Sequence, residues 1–167
     1  MNRVYQTIID PQHGNCMQAA FASLFNDKLE NVPNFIESNN WFEDMKAYAE
    51  SKGYSYNGML HNKKWISLCQ AKTTDVFEKS GWYKPGLISK SNIKKNSGVD
   101  GFFYAGVCSP AFFGWDTFAS HAVIIDSDFN IVHDPNPNNK EIYKYPLANI
   151  IGFNGIIDIY LFNKKEV

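Results

Sequence analysis

Between Gly14 and Asn26 apolar side chains recur every three to four positions. Met17, Ala20, Phe21, Leu24 and Phe25 fall on one stripe, and a stripe of that period predicts an amphipathic helix over 14–26. Pro11 keeps the approach extended, Gly14 or Asn15 supplies the cap, and Asn26-Asp27 ends the helix. A turn over 30–35 feeds a second helix, 39–52, in which Trp41, Met45, Tyr48 and Ala49 share a face and Gly53 is the stop. Beyond Gly53 the pattern weakens: a short strand at 54–56, short helices over 65–69 and 73–81, then an irregular stretch. That stretch, 82–100, is built of Pro, Gly, Ser, Asn and Lys and has the length of a lid or binding loop. The last third changes period. Runs at 101–107, 122–125, 130–133 and 156–162 are rich in aromatic and β-branched residues and predict four strands. Helices first and an antiparallel sheet after make an α+β chain.

With 167 residues, 44% of them apolar and 16% aromatic, the chain can bury a core without staples, as one domain over 1–167. A net charge of -1 and scattered lysines give no basic stripe for nucleic acid, and the cluster at 90–95 reads as a solvated loop. Cys16, Cys69 and Cys108 are odd in number and form no C-x-x-C pair, which argues against a disulfide framework and a structural zinc site. His13 and Cys16 have the spacing of half a zinc site, without a second half. No apolar leader and no long apolar run is present. The expectation is a cytoplasmic protein with no cofactor and no membrane partner. Its many asparagines and lysines suggest AT-rich coding DNA, bacterial or phage-borne.

The chemistry concentrates in three short pieces. Cys16 opens the first helix in His13-Gly14-Asn15-Cys16, where unpaired N–H groups and the helix dipole favour a thiolate. Gly14 permits close approach of a backbone. The alternative is a small buried cysteine with no chemical role. Far along the chain, Ser120-His121-Ala122-Val123-Ile124-Ile125 and Ile131-Val132-His133-Asp134-Pro135 form a hairpin. A two-residue turn at Ser127-Asp128 sets His121 opposite Asp134, with Cβ atoms roughly 4.5–5.5 Å apart. A carboxylate there fixes the imidazole tautomer and stabilises its cation. The same register turns His133 to the other face, so His121 is the expected base. A one-residue slip would reverse the facing, and both residues could simply cap strand ends. For an oxyanion the Cys16 N–H is the first donor, with Gln12 as the candidate second and Gln6 as its alternative. His13, Gly14, Asn15 and Trp115 are placed near substrate. The aromatic segment 112–118 could serve as a partner-binding loop, a cleft wall or ordinary core.

Those residues resemble the papain-like cysteine peptidase superfamily, in particular its small bacterial and phage branch with the bacteriocin leader-processing peptidases. The resemblance is carried by Gly14-Asn15-Cys16-Met17-Gln18-Ala19-Ala20, by His121 before an apolar strand, and by Asp134-Pro135 after the next. It spans roughly 6–36 and 101–137. Transglutaminase-like enzymes and arylamine acetyltransferases show a related order. The chain departs from the pattern in two places: Asp10 stands where an amide donor is common, and Met17 follows the cysteine. The resemblance implies a helical layer carrying Cys16, packed on an antiparallel sheet carrying His121 and Asp134. It also implies hydrolysis of a peptide, protein-conjugate or small amide bond through an acyl-thioester. A transferase using the same intermediate is the neighbouring reading, and a binding or inhibitory module on the same scaffold is the non-enzymatic one.

Overall fold

The computed structural model describes residues 1–10, 13–68, 86–108, 120–139, 145 and 147–166. Helix α1, Cys16–Leu24, is shorter than the stripe suggested, because Asn15 has left helical geometry and its side chain caps nothing. Helix α2 is Trp41–Ser51, stopped where Gly53 takes a φ of +82°. Strand β1, Tyr54–His61, follows directly. It is far longer than the three residues expected, since a bulge between Tyr56 and Gly58 breaks the alternation that would have revealed it. A short helix α3, Lys63–Leu68, comes next. The expected helix at 73–81 lies outside the described residues. The stretch read as irregular contains a short helix α4, Lys90–Ile93, whose cap is the Ser89 hydroxyl accepting the Asn92 N–H at 3.1 Å. Ile88 and Ile93 anchor it in the core.

The remaining elements are strands β2 (Phe102–Cys108), β3 (Ser120–Asp126) and β4 (Ile131–His133), a short helix α5 (Ala148–Ile151), and strand β5 (Ile156–Lys164). The five strands form one sheet in the order β1-β5-β2-β3-β4, antiparallel at every pairing. The fold is therefore α+β. Among the described residues no helix is long and apolar enough to cross a membrane.

Alternation along the strands divides the core in two. Tyr104, Ala122, Ile124, Tyr160 and Phe162 face α1 and α2, while Phe103, Val123, Ile125, Ile159 and Leu161 pack beneath. Phe21 of α1 is fully buried. Its ring meets Phe35, Tyr104 and Phe162 with centroids 5.1, 5.2 and 5.7 Å away, and burying such a ring is worth about 3–5 kcal/mol against alanine. This contact fixes α1 over β2 and β3 and thereby sets the height of Cys16 above the sheet.

Candidate active site

Cys16 is the first residue of α1. Its N–H and those of the next residues have no carbonyl partner within the helix, so the helix presents partial positive charge to the thiol. The entrance is held by Asn15. Its Oδ1 accepts the N–H groups of Thr7 and Ile8 at 3.0 and 2.9 Å, and its amide donates to Gln18 Oε1 at 2.9 Å. The Asn15 side chain is thus spent on fastening the N-terminal segment to α1. Gly14 has a similar internal reason. A Cβ there would lie 2.5 Å from the Asp10 carbonyl, so the backbone it admits is the chain's own rather than a substrate's. His13 is exposed beside Asp10, its ring 3.3 Å from the carboxylate. Gln12 and Trp115 lie outside the described residues.

The hairpin differs from the expected one twice. Its turn, 127–129, is one residue longer than expected and closes with the Asp126 N–H on the Asn130 carbonyl at 3.0 Å, Phe129 adopting a φ of +67°. A bulge then separates the pair Ile125–Ile131 from the pair Ile124–His133. Each irregularity alone would reverse the facing; together they restore it. His121 is set on the diagonal of Asp134 rather than opposite it, a separation long side chains still bridge. The His121 ring closes the gap, with Nε2 2.7 Å from Asp134 Oδ1 and both side chains 8% exposed.

The ring also lies beside the Cys16 thiol, close enough for each to shift the other's titration. With Nε2 on the carboxylate, Nδ1 is the nitrogen left for sulfur. β4 ends at His133, so β3 before Ile124 has no β4 partner, and the Ala122 N–H is directed to the Cys16 thiol instead. His133 does not take part. It lies on the other face and bonds the Val4 carbonyl through Nε2 at 2.8 Å.

Electrostatics make one unit of the three residues. Burial alone pushes the Cys16 thiol up. The hydrogen bond and charge of His121, with the N–H groups of Ala122 and Met17, outweigh it and hold the thiol below its ordinary value. Burial likewise works against the His121 cation, but the bond to Asp134, the bond to Cys16 and their charges raise the ring to about 9. For Asp134 burial is again opposed, by His121 first and then by Tyr145 and Asn139, and the carboxyl falls below its usual range. All three shifts favour the charged forms, thiolate, imidazolium and carboxylate.

Sequence reasoning missed the groups that hold Asp134. The Asn136 N–H donates to Oδ1 at 2.8 Å, and the Asn139 amide to Oδ2 at 2.8 Å. The Tyr145 hydroxyl also donates to Oδ2, and its ring stacks on His121 with centroids 6.4 Å apart. The run Asp134-Pro135-Asn136-Pro137-Asn138-Asn139 carries the turn chemistry that could have flagged the two asparagines; Tyr145 carries no signal. Gln6 is buried against this segment, its N–H on the Pro135 carbonyl at 2.9 Å and its side-chain amide on the Ile8 carbonyl at 2.9 Å. Among the described residues no three His, Cys, Asp or Glu side chains converge to hold a metal ion. No family model, curated protein or solved structure matches the chain.

Proposed function

We propose that the protein is a cysteine-dependent hydrolase of an amide, peptide or isopeptide bond, on a papain-like arrangement of helix and sheet. The observation that carries this reading is the His121 ring bonded to Asp134 at 2.7 Å and lying beside a helix-opening thiol. A buried imidazole between a carboxylate and a thiol has one well-understood chemical use, which is activation of the sulfur.

In that reaction the Cys16 thiolate attacks the carbonyl carbon and the C=O electron pair moves to oxygen. The Cys16 N–H, with an amide of Gln6 or Gln12, holds the oxyanion. Collapse expels the amine, which takes the proton of the His121 imidazolium. The neutral ring then removes a proton from water, the hydroxide attacks the thioester, and the thiolate leaves with the acid as product. Asp134 stays ionised and keeps the ring oriented throughout.

The test is direct. Iodoacetamide should alkylate Cys16 near neutral pH far faster than Cys108, which is buried in the core. A panel of fluorogenic aminoacyl and peptidyl amides should show release that Cys16→Ala abolishes and His121→Ala reduces by about 10²–10⁴-fold. Slow alkylation of Cys16, or release that survives Cys16→Ala, overturns the reading.

A further inference from the structure

The sheet face under α1 carries a carboxylate that the reaction above does not use. Asp158 of β5 lies across Gly106 of β2: its Oδ1 accepts the Gly106 N–H at 3.0 Å, and a Cβ on Gly106 would sit 2.5 Å from that oxygen. Gly106 is therefore a notch cut for this carboxylate. It pairs with Asp158 on one side and with Ala122 on the other, and the Ala122 N–H contacts the Cys16 thiol. Asp158 and Cys16 thus stand on one row of the sheet. Only the two smallest side chains, glycine and alanine, lie between them.

The spacing follows from sheet geometry. Adjacent strands are about 4.8 Å apart, a hydrogen bond to sulfur adds about 3.5 Å, and the carboxylate oxygen stands 3.0 Å from the Gly106 nitrogen on the β5 side, so carboxylate and thiol are separated by roughly 10 Å. Tyr104 and Tyr160 flank the row, their rings 4.7 Å apart. The Tyr104 hydroxyl is raised by burial, and also feels Tyr160, Cys16 and Asp158. Tyr160 is raised by burial and by Asp158. Asp158 Oδ2 and both tyrosine hydroxyls have no hydrogen-bond partner among the described residues, and Tyr104 and Tyr160 are buried. Asp158 itself is partly exposed.

A carboxylate held against burial without a cationic partner, ringed by phenol oxygens and aromatic faces, is built to receive a cation. We infer that Asp158, with Tyr104 and Tyr160, is a substrate subsite for a protonated amine within a few bonds of the scissile carbonyl. The distances leave room for that group. A carbonyl carbon sits about 3–3.5 Å from an attacking atom and an ammonium about 2.8 Å from a carboxylate oxygen. Of the roughly 10 Å, about 4 Å is left along the row, which an amine within a few bonds of the carbonyl spans. This inference rests on the thiol-hydrolase reading and narrows its substrate.

Methanethiosulfonates test the two separately. The Cys16 thiolate attacks the sulfenyl sulfur, forms a mixed disulfide and expels methanesulfinate, so the reaction needs no other reagent. The rates of the 2-aminoethyl (cationic), methyl (neutral) and 2-sulfonatoethyl (anionic) reagents are compared on Cys16 by mass spectrometry at pH 7. Each is normalised to the same reagent on 2-mercaptoethanol. The expected result is a preference for the aminoethyl over the methyl reagent of about tenfold or more, the size of one charge-assisted hydrogen bond, and its collapse toward unity in Asp158→Asn. A second measurement needs no variant. Glycinamide should protect wild-type Cys16 from the methyl reagent, and N-acetylglycinamide should not. An equal preference in wild type and Asp158→Asn, or equal protection by the two amides, overturns the subsite. A methyl reagent no faster on Cys16 than on a free thiol overturns the hydrolase reading instead.

Discussion

Replacing Asp134 by asparagine removes one charge and leaves the shape of the site almost untouched. The carboxylate gives His121 Nε2 a 2.7 Å hydrogen bond and is the first of the groups that raise the ring toward 9 against burial. A charge-assisted bond of this kind is worth about 1.5–3 kcal/mol, which is about one to two pKa units. In Asp134→Asn the imidazolium should therefore titrate about one to two units lower. The Cys16 thiol, which depends on that cation, should titrate correspondingly higher. The sign is fixed by the order of the two groups. The thiolate–imidazolium pair exists above the lowered thiol value and below the raised imidazole value, so losing Asp134 narrows the window from both sides. Alkylation by iodoacetamide, followed by mass spectrometry from pH 4 to 10, should fall about 10–100-fold at pH 6 and converge with wild type above pH 9. Superimposable profiles for the two proteins would refute the coupling. So would a wild-type profile with a single inflection at the ordinary cysteine value of about 8.5.

Asp158 gives a test of opposite sign. Burial raises its carboxyl to about 6 against about 3.9 when unfolded, so the neutral form stabilises the fold below pH 4 and that contribution is lost as pH rises through 6. The shift of two units corresponds to about 3 kcal/mol, reduced to about 1–2 kcal/mol by partial exposure. Asp158→Asn should be more stable than wild type by that amount at pH 8 and equal to it at pH 4 in urea unfolding. Equal stabilities at both pH values would count against the strain. Gly106→Ala drives a methyl into the Asp158 carboxylate and should cost about 1–3 kcal/mol. In an Asp158→Ala background most of that cost should vanish, and a thermal double-mutant cycle with no coupling would exclude the contact. Asn15→Ala removes the acceptor of the Thr7 and Ile8 N–H groups, which belong to exposed residues, and should lower stability by about 1–2 kcal/mol, read as a drop in the urea midpoint. His133→Ala should lower stability yet leave Cys16 alkylation within about threefold of wild type, since its ring serves the Val4 carbonyl. A loss as large as that of His121→Ala would move the base to the wrong histidine.

The parts of the molecule legible in the sequence were those written by short-range pattern. Phe21 and Leu24 announced α1 as a helical apolar stripe, and Ala122 to Ile125 announced β3 as an unbroken apolar run buried on both faces of the sheet. The hidden parts depend on interruptions. β1 was cut to 54–56 because Asn57 is looped out at the bulge before Gly58, and α4 was lost inside a polar stretch whose two buried isoleucines are too few to show a period. The site divides the same way. Cys16, His121 and Asp134 stood out by residue type and order, whereas Tyr145 and Asp158 were brought in by tertiary packing that no local rule encodes. The expected hairpin register was wrong by two residues in the two-strand count. It still brought His121 and Asp134 onto one face, because two is an even number.

That parity has an evolutionary consequence. Thirteen positions separate the imidazole from the carboxylate, and a gene that gained or lost a single codon between them would swing one of the two to the opposite side of the ribbon. Descendants of this chain should therefore change length here only in compensated steps, one in the loop matched by one in the strand. An inherited single-codon indel in the hairpin would be the mark of a lineage that has given up the proposed reaction while keeping the architecture.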